Sequence, residues 1–228
     1  MWVFFCNFAL LTKIYLKMKI FFYTSLLLLL FSCTEEVSTD TPPNTKTVED
    51  EIIVSNYTID TSLTVIAWTG YEEINVDTPD FHTGTVKALN GNFEITEVNG
   101  EKSVSNAQLT IDMNTIKESD DIEKLENHLK SPDFFDVNQF TTTNFIYDKF
   151  EDGKLYGKIN VIGTELPLET EVEFIESENG ITIKTKPFKI DFKPANMPFF
   201  IEDAKQPESE QHDPLLEFEL TVVGNMNQ

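Results

Sequence analysis

Arginine is missing from this chain: all 17 basic residues are lysines, set against 39 acids. Without guanidinium forks there is no bidentate recognition of phosphate or guanine. A formal charge of −22 would also repel a nucleic-acid backbone, so nucleic acid is excluded as a partner. Cysteine is nearly absent. Of the two, Cys6 and Cys33, the first falls in a segment expected to be removed, so no disulfide framework holds the mature fold. Histidine occurs three times, as His82, His128 and His212, never at the spacing of a zinc motif. No Gly-x-Ser-x-Gly elbow is present. The expectation is a protein that is not an enzyme, with no catalytic residue, metal or cofactor. Long apolar runs are scarce too; the clearest, residues 20–31, has 12 residues, too short to span a bilayer. Aromatics, by contrast, are plentiful: 19 Phe dominate a 12% aromatic content, which argues against a wholly disordered chain. At 228 residues, one domain plus tails is the simplest count.

Residues 1–32 hold three lysines and no acid. The run at 20–31, flanked by Lys17 and Lys19, has the length and charge of a secretory signal. Lys13, Lys17 and Lys19 interrupt the longer run that begins at Trp2, which argues against a signal anchor. Met18 is a second candidate start, which would make residues 1–17 an upstream extension. The run ends in Leu30-Phe31-Ser32-Cys33, which resembles a bacterial lipobox with Phe31 in place of the usual small residue. That resemblance implies a signal peptide over 1–32 and lipidation of Cys33, with two or three acyl chains making a stable membrane anchor. Thr34 is not the Asp that retains many lipoproteins in an inner membrane, so the expected location is the bacterial cell envelope, lipid-anchored, at the outer membrane. Residues 34–50 are Thr, Glu, Ser, Pro and Asn with few aliphatics. They cannot bury a core and read as a tether. The division is 1–32 signal, 33–55 lipidated Cys and tether, 56–228 folded domain.

From Asn56 onward the apolar period is two. Leu109, Ile111 and Met113 alternate with polar residues, as do Leu155, Gly157, Ile159 and Val161. Leu166, Leu168, Thr170, Val172 and Phe174 alternate with Glu169, Glu171 and Glu173. Ile181 and Ile183 form a shorter series, and Leu216, Phe218, Leu220 and Val222 alternate with Glu217 and Glu219. Around Trp68 both faces carry apolar residues (Leu63, Val65 and Ala67 on one, Ile66 and Trp68 on the other), so the inward face stays open there. Charged outer and apolar inner faces describe a one-sided antiparallel sheet. Asn90-Gly91, Asn99-Gly100, Asp152-Gly153, Asn179-Gly180 and Gly163-Thr164 are expected hairpin turns. About eight hairpin-linked strands result, and closure into a barrel removes their free edges.

One segment departs from this period. Ile122, Leu125 and Leu129 lie at i, i+3 and i+7, after Ser119 and Asp120 as candidate caps and before Ser131-Pro132 as a stop. They predict one short helix over about 121–130. A second irregular stretch, 194–214, contains Pro194, Pro198, Pro207 and Pro214 and reads as a long rim loop with an apolar patch of Met197, Phe199, Phe200 and Ile201.

The stretch Leu125-Glu126-Asn127-His128-Leu129-Lys130-Ser131-Pro132-Asp133-Phe134-Phe135-Asp136 resembles the signature of the YceI-like family. Phe145 matches a Phe in the strand that follows. Ile111-Asp112-Met113-Asn114-Thr115-Ile116 resembles the family's strand before the helix, and Trp68 with Phe81-His82-Thr83-Gly84 resembles its N-terminal pattern. The resemblance covers roughly 56–224. It departs at Phe140-Thr141, where the family often has Tyr-Pro, and at Phe192, where an Arg often follows the acid. The fold it implies is all-β, an eight-stranded antiparallel lipocalin-like barrel with one short inserted helix. The partner it implies is a long apolar lipid, a polyisoprenoid or fatty-acid derivative; a second copy of the chain is a further candidate partner.

On period two, Trp68, Leu109, Ile111, Phe145, Leu155, Ile159 and Phe218 are candidate inward residues, with Leu125, Leu129, Phe134 and Phe135 near the barrel mouth. Phe134 and Phe135 have two readings: they line the ligand entrance, or they simply dock the helix. The histidines read as surface or hydrogen-bonded residues, with His82 a candidate polar spot at the mouth. Eight strands are just wide enough to hold one small ligand or to be filled by their own side chains. A lipid carrier and a solid-barrel structural or interaction lipoprotein are therefore both open at this point.

Overall fold

The structure, a computed structural model, describes residues 51–74 and 77–227. Cys33, the signal-like run and the 34–50 tether lie outside the described residues. The alternating stretches become ten antiparallel strands: β1 (Ile52–Ile59), β2 (Val65–Tyr71), β3 (Phe81–Val98), β4 (Glu101–Glu118), β5 (Thr142–Glu151), β6 (Lys154–Val161), β7 (Thr164–Ser177), β8 (Gly180–Thr185), β9 (Phe188–Asp191) and β10 (Leu215–Met226).

Ten segments fill eight strand positions. β1 and β2 share one position, since both lie between β3 and β10: Tyr57 pairs with Phe93 and Met226, and Trp68 with Gly84 and Phe218. The break between them is a turn at 60–64, where Asp60 Oδ1 accepts the Ser62 backbone N–H at 3.0 Å and the Ser62 hydroxyl at 2.6 Å. β8 and β9 likewise follow one another along β10, with Ile183 opposite Val222 and Phe188 opposite Phe218. Between them stands Pro187, which has no N–H to give a ladder. β10 pairs with β8 on one side and β2 on the other, so the sheet closes into a ring.

Strand β1 begins at Ile52, and Ile52 to Ser55 pair with Val98 to Ile95 of β3. The folded domain thus starts four residues before the expected boundary at 56. The sequence there is apolar on both faces (Ile52, Ile53, Val54), so no alternation announces a strand. Around Trp68 the open question of face is resolved: Ile66 and Trp68 are buried, whereas Leu63 and Val65 are exposed.

Asn99-Gly100 and Asp152-Gly153 make the expected two-residue turns, with both residues of each at positive φ. The β6–β7 turn is Ile162-Gly163, one residue earlier than expected, and Glu178-Asn179 joins β7 to β8. Asn90-Gly91 is no turn at all: it lies inside the 18-residue β3, beside a register shift. A Cβ on Gly91 would come within 2.4 Å of Ile59 Cδ1, so this glycine serves close approach within the sheet, the other use of a strand glycine.

Helix α1 (Glu123–Lys130) follows β4, and Leu129 is its buried residue. Neither Ser119 nor Asp120 caps it. Instead Glu118 Oε2 accepts the backbone N–H groups of Asp120 at 2.8 Å and Ile122 at 3.0 Å. Lys117 ties the helix to β4 through Asp121 at 2.6 Å and Glu126 at 2.8 Å. Those hydrogen bonds hold both carboxyls below their usual range and push the Lys117 ammonium above its own. Ser131 ends α1 in an extended conformation, with its hydroxyl on His128 O at 2.7 Å. The 194–214 stretch contains a second, six-residue helix, α2 (Pro198–Asp203). Pro198 sits at its first position, where a missing N–H costs nothing.

Candidate functional site

The inward residues of the eight positions do not fill the barrel. They enclose a cavity of about 420 Å³, within the ~300–1,000 Å³ range of small-molecule sites. Trp68, Leu109, Ile111, Phe145, Leu155, Ile159 and Phe218 lie on its wall, and so do Leu125 and Leu129 of α1 and Phe134 and Phe135 after it. The structure therefore brings all eleven sequence-selected apolar residues to one cavity. Small residues make room among the large ones. A Cβ on Gly157 would lie 2.4 Å from Phe145 Cε2, and one on Gly84 would lie 2.3 Å from Trp68 Cζ2.

Aromatic side chains gather around α1 and α2. Phe134 stacks on Phe199 with ring centroids 4.3 Å apart, and Phe200 meets Phe134 edge-on at 5.8 Å. Phe135 reaches Phe192 at 6.0 Å, and Phe192 reaches Phe218 at 6.1 Å. The Phe199 N–H donates to Asp133 O at 2.9 Å, so backbone as well as rings join α2 to the turn after α1. Phe134 and Phe135 do both things open to them: they line the cavity and dock α1 and α2. Phe192, Phe199 and Phe200 are wall residues that the sequence reading did not select. Phe199 and Phe200 belonged to the apolar patch among four prolines, and Phe192 ends a short alternation of Phe188, Ile190 and Phe192, a signal that could have found it.

Besides the histidines and a few neutral polar residues, the polar side chains of the wall are two acids. All three histidines line the cavity, each beside a carboxylate: His82 Nε2 is 2.8 Å from Glu72 Oε1, His128 Nε2 is 3.6 Å from Asp133 Oδ2, and His212 Nδ1 is 2.9 Å from Asp203 Oδ1. His212 also donates its backbone N–H to Asp203 Oδ2 at 2.7 Å, fastening the end of α2. Placing His128 and His212 on the wall takes tertiary structure; from sequence only His82 was a candidate. Among the described residues no serine hydroxyl bonds a histidine ring nitrogen, so these pairs lack the third member of a nucleophilic triad. Among the described residues, Glu72 and Asp213 are the acids of the wall and no lysine lines it. Tyr71 lies at the same end; burial first, and the Glu217 carboxylate second, push its phenol above the usual range. Glu72, Glu73 and Asp80 form the one three-carboxylate grouping found among the described residues. It contains none of the histidines.

The model of the YceI-like domain matches residues 57–206. The chain belongs to the YceI-like family. Among solved structures, this YceI-like barrel is similar to a polyisoprenoid binding domain from Saccharophagus degradans implicated in plant cell wall breakdown. The TM-score is 0.56 at 13% identity, over 75% of this chain and 98% of that one. It is also similar to BcnA of Burkholderia cenocepacia, with a TM-score of 0.49 at 14% identity over 72% and 98% of the two chains. No curated protein matches the sequence. At these identities the likeness is one of fold.

Proposed function

We propose that this YceI-like protein holds an apolar lipid, isoprenoid or fatty-acid in type, inside its barrel, and that acylated Cys33 keeps the barrel at a membrane of the bacterial cell envelope. The reading is of a carrier or sequestering protein, not an enzyme. The observation that carries it is the cavity: about 420 Å³, walled by apolar side chains with polar groups confined to a few positions. Enclosing a ~15-carbon chain there would contribute about 12 kcal/mol gross, at ~0.8 kcal/mol per CH₂ before ordering costs. The Saccharophagus degradans domain, a polyisoprenoid binding domain, adds weight to the isoprenoid class. The lipobox-like Leu30-Phe31-Ser32-Cys33 supports the anchor, and Thr34 supports sorting to the outer membrane.

The test is uptake. Delipidated full-length protein is titrated with a radiolabelled C20 isoprenoid and with a radiolabelled fatty acid. Saturable binding near one equivalent is expected. No uptake of either would leave the barrel a structural or interaction module.

A further inference from the structure

The cavity occupies only part of the barrel. At the end where β3 turns into β4, inward side chains pack on one another instead of bordering open space. Tyr57, Ile95, Tyr147, Phe150, Phe174 and Ile181 belong to the apolar core, yet none of the six is on the cavity wall. Phe150 meets Phe174 edge-on at 5.8 Å, and the Tyr147 hydroxyl donates to Val104 O at 3.0 Å. Lys102 of β4 closes the same end, its ammonium 2.9 Å from Glu97 of β3 and 2.6 Å from Glu176 of β7. The histidines and acids of the wall stand at the opposite end, beside α1 and α2. A lipid in the cavity therefore keeps its polar end near α1 and α2 and points its tail at the solid end.

Phe93 stands where the hollow part meets the solid part. It is 2% exposed and lines the cavity. Tyr57 of β1 stacks on it, with ring centroids 5.2 Å apart and 13° between the planes. Tyr57 is off the wall, so the Phe93 ring turns one face to the solid end and the other to the cavity. The ring reaches from β3 past β1 to β10, because residue 224 is glycine. A Cβ on Gly224 would lie 2.4 Å from Phe93 Cζ and 2.8 Å from Cε1. The next atom is Tyr57 Cβ at 3.1 Å, so the three nearest neighbours are all side-chain atoms. A strand glycine here serves the close approach of a ring.

We propose that Phe93, laid over Gly224 and backed by Tyr57, is the floor of the lipid cavity and sets how long an apolar chain the barrel encloses. The inference rests on the lipid-binding reading above. Each carbon enclosed above the floor tightens binding by up to about fourfold; carbons added beyond that depth stay outside the mouth and add little. Two substitutions move the floor in opposite directions. Gly224→Ala sets a methyl against the tip of the ring. Tyr57 blocks its retreat, so the ring turns into the cavity and the floor rises. Phe93→Leu replaces the ring with a shorter side chain, and the floor drops. A general loss of packing would move both variants the same way.

The test uses delipidated full-length protein and radiolabelled straight-chain alcohols from C10 to C20 in two-carbon steps, with thermal melts to check that each variant is folded. In the wild type, affinity is expected to climb with each step and then level off. The break should come one step earlier in Gly224→Ala and one step later in Phe93→Leu. Should Gly224→Ala fail to fold, the later break in Phe93→Leu decides alone. Affinity that climbs to C20 without a break, a break at the wild-type length in both variants, or a shift of the same sign in both would overturn the floor while the lipid-binding reading stood. Uptake of no alcohol would also overturn the floor and, joined to no uptake of the C20 isoprenoid, the lipid-binding reading with it.

Discussion

Exchanging Ile159 for glutamine probes the cavity from inside its wall. Ile159 is 9% exposed, faces Phe145 on β5 and Leu166 on β7, and lines the cavity. Glutamine is of similar bulk, so the main change is an amide in an apolar wall. In the unliganded barrel water can reach that amide, because the space exceeds what one water needs. The fold should then lose about 1 kcal/mol, the low end of the mutational cost of burying a polar group, or roughly 2–4 °C in Tm. A lipid chain would displace that water and leave the amide against hydrocarbon. At about 2 kcal/mol on the mutational scale, binding should weaken about 30-fold. Thermal melts read the fold and titration with a labelled isoprenoid reads the site. Undiminished affinity would show that the lipid does not run past Ile159, and loss of folding would refute the view that the wall borders open space.

Cys33→Ser should abolish labelling by a metabolic fatty-acid probe; equal labelling of the variant would place the anchor elsewhere. Limited proteolysis should cut within 34–50 and leave a resistant fragment beginning near Ile52, because Ile52 to Ser55 are paired to β3; a fragment beginning at residue 56 or later would contradict the β1 pairing. Gly84→Ala places a Cβ 2.1 Å from Lys117 O as well as against Trp68, an overpacking expected to cost about 1–3 kcal/mol in a urea titration; an unchanged midpoint would show that Trp68 does not lie across Gly84. Asp121 and Glu126 titrate below their usual values because of Lys117. Their contribution is present above the ordinary carboxylate pKa of about 4 and is lost as pH falls through the depressed folded values. Protection of the α1 amides, measured as exchange relative to the intrinsic rate at each pH, should accordingly fall at acid pH in the wild type, and Lys117→Met should remove that dependence; protection that ignores both pH and Lys117 would refute the link.

Much of the barrel was legible because alternation is a local signal. Leu109 and Ile111, or Leu155 and Ile159, declare their face within a few residues, and hairpin register carries that face to the next strand. Hence the seven strand residues selected by period two reach one wall. What escaped was non-local. Ile52 to Val54 are apolar without alternation, so only pairing with β3 marks them as strand. Asn90-Gly91 has the chemistry of a turn, but the approach of Ile59 to Gly91 is invisible until β1 is in place. Phe199, Phe200 and His212 reach the wall because α2 packs on the turn after α1, a contact between segments more than 60 residues apart. Glu118 is the sharpest case. It continues the inward series of Ile116, yet an acid there reads as surface until its backbone contacts to Asp120 and Ile122 are seen.

Native mass spectrometry of the full-length protein, released gently from the membranes of its own cells, tests lipid binding most directly. A protein mass raised by one non-covalent lipid, lost on delipidation and regained on adding an isoprenoid or fatty acid, is the expected result. Only the lipid-free mass (Cys33 acylation aside), with no uptake after delipidation, would contradict it.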